Sequence, residues 1–115
     1  MINFENLNVY GEAIKIALDV YKLTTKFPKE ERFGMTDQLR RASVSISLNI
    51  AEGSSRSKKD FSRFLDMSRG SCHELIPLLK ISLELKYINK ADYEILYSNI
   101  EVLLKRINAL RRSLK

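Results

Sequence analysis

Glycine and proline are scarce in this chain, at four and two residues of 115. Tight turns and sheet corners draw on both, so a many-stranded architecture has little to work with and an all-α domain follows. A single cysteine, Cys72, excludes an internal disulfide, and a thiolate metal site would need ligands that the chain lacks. The only histidine, His73, stands beside it. Neighbouring helical positions point about 100° apart, so the two cannot face one ion, and Cys72 reads as a small core residue. No metal and no cofactor are expected. No apolar run approaches a membrane span, and residues 1–6 have neither the basic start nor the apolar stretch of a signal peptide. The chain is expected to be cytoplasmic.

What is present is a single domain, residues 1–115, large enough to bury a working core without staples. A formal net charge of +6 and a pI near 9.6 point to an anionic partner.

Apolar spacing divides the chain into four helices. The first runs from about Leu7 to Lys26, with Tyr10, Ala13, Ile14, Ala17, Leu18, Tyr21 and Thr24 as its buried stripe. Phe27-Pro28 stops it, because the residue before proline is pushed out of the α region. Pro28 to Phe33 can form one or two further turns ended by Gly34, and Thr36 is the expected N-cap of the next helix. The third helix opens on Ser57 and Asp60, a capping pair, and contains Pro77, where a kink or a break is expected. Asn89 caps the last helix. There Tyr93, Leu96, Ile100, Leu103, Ile107, Leu110 and Leu114 recur at alternating spacings of three and four, a bundle seam. Short links between four helices give an up-down-up-down antiparallel four-helix bundle.

The central helix, Gln38 to Gly53, is unusual in having two apolar stripes. Leu39, Ala42, Ser43, Ile46, Asn49, Ile50 and Gly53 form one, and Val44, Leu48 and Ala51 the other. Two apolar faces imply two neighbours, the second being another bundle helix or another copy of the chain. Arg40 and Arg41 near its start and Glu52 near its end oppose the helix's own dipole, which suggests a partner.

If residues of the second and third helices lie level when their numbers sum to about 111, Glu74 falls within a turn of Arg40 and Arg41. A structural ion pair is then expected, within the bundle or between subunits. Gly70 is read as a point of close helix approach. At the other end, Glu52 comes level with Tyr10 and with Lys59 or Arg63. Tyr10, Asn49 and Glu52 are expected to form a register-fixing polar network. No nucleophilic triad, metal cluster or phosphate-cradling loop can be assembled, so an enzyme is not expected.

Arg40-Arg41 within Gln-Leu-Arg-Arg-Ala, Asn49-Ile50-Ala51-Glu52-Gly53, and Gly70-Ser71 followed by Glu74-Leu75 resemble the four-helix-bundle family of 23S rRNA-intervening-sequence proteins. Val20-Tyr21, Phe27-Pro28, Phe64-Leu65 and Tyr87-Ile88 fall in family order, so the resemblance covers nearly the whole chain. It implies a homopentameric ring of bundles and no established enzymatic activity. It also implies a distant relationship to the accessory protein of diversity-generating retroelements, a basic pentamer that binds nucleic acid and a reverse transcriptase. Pro77 and Lys86 depart from the family pattern, the latter where a helix-ending glycine is common.

Charge is distributed unevenly. Residues 1–34 hold five Lys or Arg and five Asp or Glu, whereas residues 105–115 hold Lys105, Arg106, Arg111, Arg112 and Lys115 and no acid. In the expected topology that segment lies beside the turn carrying Arg56, Lys58, Lys59 and Arg63. These nine residues are the expected phosphate contacts for RNA or DNA, without base stacking because no aromatic interleaves them. A protein partner recruited to an oligomeric scaffold is the competing expectation.

Overall fold

The computed structural model describes residues 3–115. Four helices follow one another: α1 (Asn8–Thr24), α2 (Met35–Ser54), α3 (Lys58–Glu84) and α4 (Lys90–Ser113). One short 3₁₀ turn, Asn3–Asn6, precedes α1, and another, Lys29–Glu31, links α1 to α2. α1 packs on α2 and α4, α3 packs on α2 and α4, and neither diagonal pair approaches. The result is the expected up-down-up-down bundle, 43 × 22 × 22 Å, with no strand among the described residues. No described helix is long and apolar enough to cross a membrane.

The seam of α4 buries Leu96, Ile100, Leu103 and Ile107, as its spacing predicts. α2 buries Leu39, Ala42, Ser43, Ile46, Ile50 and Gly53 from its first stripe. α1 differs from expectation. It buries Val9, Ala13, Ile16, Ala17, Val20 and Thr24, while Leu18 is 64% exposed and Tyr21 is exposed as well. Its apolar residues form two stripes, and the bundle takes the one containing the β-branched Val9, Ile16 and Val20.

Two caps form as read from sequence: the Ser57 hydroxyl accepts the Asp60 N–H at 3.2 Å, and the Asn89 side chain accepts that of Asp92 at 2.8 Å. Thr36 is not the N-cap of α2. The helix starts at Met35 after Gly34, which has no side chain to cap with, and Glu31 Oε1 accepts the Met35 N–H at 3.1 Å instead. Buried Thr36 lies inside the first turn.

α3 continues unbroken through Pro77, which overturns the alternative of two shorter helices. Proline here costs one backbone donor, and its exposed ring leaves the buried Leu75, Leu78 and Leu79 in place. The helix ends where Tyr87 N–H reaches the Ser82 carbonyl at 2.9 Å and Lys86 N–H reaches that of Leu83 at 3.0 Å, a Schellman turn. Lys86 occupies its left-handed position at φ 64°.

α2 and α3 are brought together by small residues. Ser45 and Ser71 hydroxyls meet at 2.9 Å, and Ser68 Oγ donates to the Ile46 carbonyl at 2.8 Å. These pairs set the register about one helical turn away from the expected sum of 111. The close approach is at Gly53, where an added Cβ would lie 2.5 Å from Phe64 Cβ. Gly70, assigned that role from sequence, is exposed, and a Cβ there would meet nothing within 4 Å.

Candidate nucleic-acid interface

The topology puts the C-terminus of α2, the N-terminus of α3, the C-terminus of α4 and the N-terminus of α1 at one end of the bundle. All nine cations singled out from sequence therefore share that end. They fall into two groups. Arg56 lies 3.6 Å from Glu52, Arg63 lies 3.4 Å from Asp60, Arg106 lies 2.9 Å from Glu12, and Arg111 lies 3.5 Å from Asp66. Lys58, Lys59, Lys105, Arg112 and Lys115 are exposed and make no ion pair among the described residues. Two of the pairs, Arg106 with Glu12 and Arg111 with Asp66, are the ones that join different helices among the described residues. They tie α4 to α1 and to α3.

An aromatic does sit among these charges, contrary to expectation. The guanidinium carbons of Arg56 and Arg63 each lie 5.4 Å from the centroid of the Phe64 ring. Cations engage that ring already, and it also packs against Gly53, so it contributes to holding the α2–α3 turn.

Asp66 and Arg69 are absent from the sequence-based set. Asp66 Oδ1 accepts Arg69 Nε at 3.0 Å and Nη2 at 2.8 Å, with Arg111 Nη1 3.5 Å from the same oxygen. The hydrogen bonds from Arg69 are the main cause that holds the Asp66 carboxyl below its usual range; burial opposes them, and the positive charges of Arg69 and Arg111 each add a smaller lowering. Arg111 Nε is shielded from solvent and has no acceptor among the described residues. An Asp and an Arg three apart on one helix read in the sequence as a local surface pair; only the packing of α4 brings Arg111 to them.

The expected polar network does not form within one chain. Arg40 Nε donates to Thr24 Oγ1 at 2.9 Å, Nη2 reaches the Tyr21 carbonyl at 3.4 Å, and the guanidinium lies 4.5 Å from the Tyr21 ring centroid. The dipole that Arg40 complements is that of α1, whose C-terminus lies antiparallel beside the start of α2. Arg41 pairs with Asp37 at 3.1 Å, and Glu52 pairs with Arg56. Asn49 donates to the carbonyl and hydroxyl of Ser45, and Tyr10 meets Phe4 edge to face. Glu74 is exposed and makes no ion pair among the described residues, because it projects outward from α3.

The second stripe of α2 remains open. Leu48 is 62% exposed, and Val44 and Leu48 line a groove of about 600 Å³ with Tyr21, Arg40 and Arg41. Tyr21 of α1 lines this groove with Leu48 of α2, so the exposed sides of the two helices meet there, and Leu18, one turn before Tyr21, is exposed as well.

Cys72 is fully buried in the core, and burial alone pushes its thiol up to about 12, which leaves it unreactive. No group of three or more His, Cys, Asp or Glu that could hold a metal is present among the described residues.

A family model described as 23S rRNA-intervening sequence protein matches residues 5–109. Among solved structures, a protein with unknown function from the S23 ribosomal protein family of Bacteroides thetaiotaomicron superposes with a TM-score of 0.80 at 22% identity. That match covers 90% of this chain and 97% of the other. No match is found among curated proteins.

Proposed function

We propose that this chain, which belongs to the family of 23S rRNA-intervening sequence proteins, is a non-enzymatic protein that self-assembles and binds structured RNA or other nucleic acid through its basic end. The observation that carries the nucleic-acid reading is the convergence of Lys58 and Lys59 with Lys105, Arg112 and Lys115, distant in sequence, exposed and without carboxylate partners among the described residues. Such a patch suits a backbone of phosphates, and the engagement of Phe64 by arginines favours contact without base stacking.

Assembly is supported by the apolar side chains left open on two adjacent helices, Leu18 and Tyr21 on α1 and Val44 and Leu48 on α2, the last three lining one groove. A ring of five copies is the assembly that the family resemblance implies. Such a ring presents the basic end five times, converting weak phosphate contacts into avidity.

The test is binding of labelled duplex RNA to wild type and to a variant reversing Lys58, Lys59 and Arg112 to Glu. A folded variant that binds at least tenfold more weakly at low salt supports the assignment. Unchanged affinity contradicts it.

A scaffold that recruits a protein is the second reading. It is favoured by Phe33, 87% exposed at the opposite tip, with the Arg32 guanidinium 5.4 Å from the centroid of its ring. Stoichiometric recovery of one protein after nuclease treatment, lost in Phe33→Ser, would support it.

A further inference from the structure

Arg69 on α3 and Arg111 on α4 converge on one oxygen of Asp66. The sharing is unequal. Arg69 takes the carboxylate with two short bonds, while Arg111 stands at 3.5 Å, beyond the roughly 2.7–2.9 Å of a strong charge-assisted hydrogen bond. Arg111 Nε has no acceptor among the described residues. An orphaned buried donor is unfavourable, and a guanidinium has five N–H groups to satisfy. Two guanidiniums therefore face a single carboxylate that satisfies one of them. The site has an excess positive charge and unmet donor capacity.

We infer that Arg69 and Arg111 form a phosphate-binding subsite across the α3–α4 junction, and that Asp66 occupies it in the free protein in place of a nucleic-acid phosphate. This rests on the nucleic-acid reading above. The ligand is a backbone phosphodiester because Arg112 and Lys115 continue along the same helix end and Lys105 lies further back on it, all exposed. A run of phosphates can engage them together with Arg111, whereas an isolated anion engages one position. Two non-bridging oxygens can accept from both guanidiniums, completing what the single Asp66 oxygen leaves unfinished. Binding displaces Asp66 toward solvent, where it is already half-exposed. Asp66 thereby acts as an internal competitor that weakens binding to any single phosphate.

The consequence is an inverse effect of a charge-neutral substitution. Duplex RNA binding is measured by fluorescence anisotropy across a salt series for wild type, D66N, E5Q and D66N/R111Q, each first checked for folding by thermal melting. E5Q removes the same charge at the same end of the bundle, from an exposed residue of the Asn3–Asn6 turn that makes no ion pair among the described residues. D66N is expected to bind roughly three- to tenfold more tightly than wild type and to add about one unit or less to the salt slope, the value of one further phosphate. E5Q is expected to gain less than about twofold, as a screened surface charge does. R111Q in the D66N background is expected to remove the gain. If wild type binds but D66N is no tighter, or E5Q gains as much, the subsite is wrong while the nucleic-acid reading stands. If none of the four binds at low salt, both fail.

Discussion

A Cβ on Gly53 would lie 2.5 Å from the Cβ of Phe64 and 3.0 Å from Cδ1 of Phe61. The first clash cannot be relieved by swinging the end of a flexible chain, because Phe64 Cβ is fixed to the backbone of α3. Gly53→Ala is expected to lower stability by about 1–3 kcal/mol, the usual range for overpacking. The matched control is Gly70→Ala, where an added methyl meets nothing within 4 Å among the described residues. It should be neutral or stabilising by up to about 1 kcal/mol through helix propensity. Urea midpoints of the two variants against wild type decide the matter; equal effects would remove Gly53 from its role.

Lys86 holds a left-handed conformation at φ 64° in the turn that ends α3. An L side chain there costs roughly 1 kcal/mol relative to glycine. Lys86→Gly should therefore raise the unfolding midpoint without changing the denaturant slope. A lower midpoint would mean that the lysine side chain makes a compensating contact.

Glu31 reaches from the 3₁₀ turn to cap α2 and also accepts the Tyr87 hydroxyl at 2.8 Å. The Met35 N–H, then the Tyr87 hydroxyl, hold its carboxyl below the usual range. A carboxyl depressed in the folded state contributes stability that is present above its unfolded pKa and is lost as pH falls through the folded value. Wild type should lose stability on the acid side in that window, and Glu31→Gln should flatten this part of the profile. A profile identical for both proteins would show that the cap carries no charge-dependent stability. The same contact raises the Tyr87 hydroxyl above its ordinary value, with the hydrogen bond to Glu31 as the main cause.

The fold was readable because its signals are local. The alternating spacing along α4, the Ser57 and Asn89 caps and the short links each depend on a few adjacent residues, and together they leave one simple topology. The errors came where a residue serves a neighbouring element. Arg40 looks misplaced against its own helix dipole and fits that of α1. Gly70 looks like a packing glycine and faces open space, whereas Gly53, placed on the buried stripe and at the helix end, makes the contact. For α1 the difficulty was different: two apolar stripes share one helix, and periodicity alone cannot say which one faces inward. The basic end was accessible from sequence because topology sets it. Its internal pairing was not, since the meeting of Arg111 with Asp66 depends on how α4 lies on α3.

That second stripe on α1 leads to the assembly prediction. Leu48→Glu puts a charge into the open groove with Val44 and Tyr21 while leaving the bundle core untouched. Light scattering of wild type should give about five times the 13.3 kDa chain mass, and Leu48→Glu should give a folded species close to one chain. A wild-type protein that stays at one chain mass across the concentration range would rule out assembly through this face.

The most direct measurement is the affinity of the wild-type protein for duplex RNA, single-stranded RNA and duplex DNA across a salt series. Several phosphate contacts made at once give a steep linear fall of log affinity with log salt, roughly 0.7–0.9 per phosphate neutralised. A combined slope of several units, with one ligand shape preferred, is the result expected of a basic end that reads a structured backbone. Negligible binding of all three ligands at low salt would contradict the account and leave those cations as dipole complements and solubilising charge.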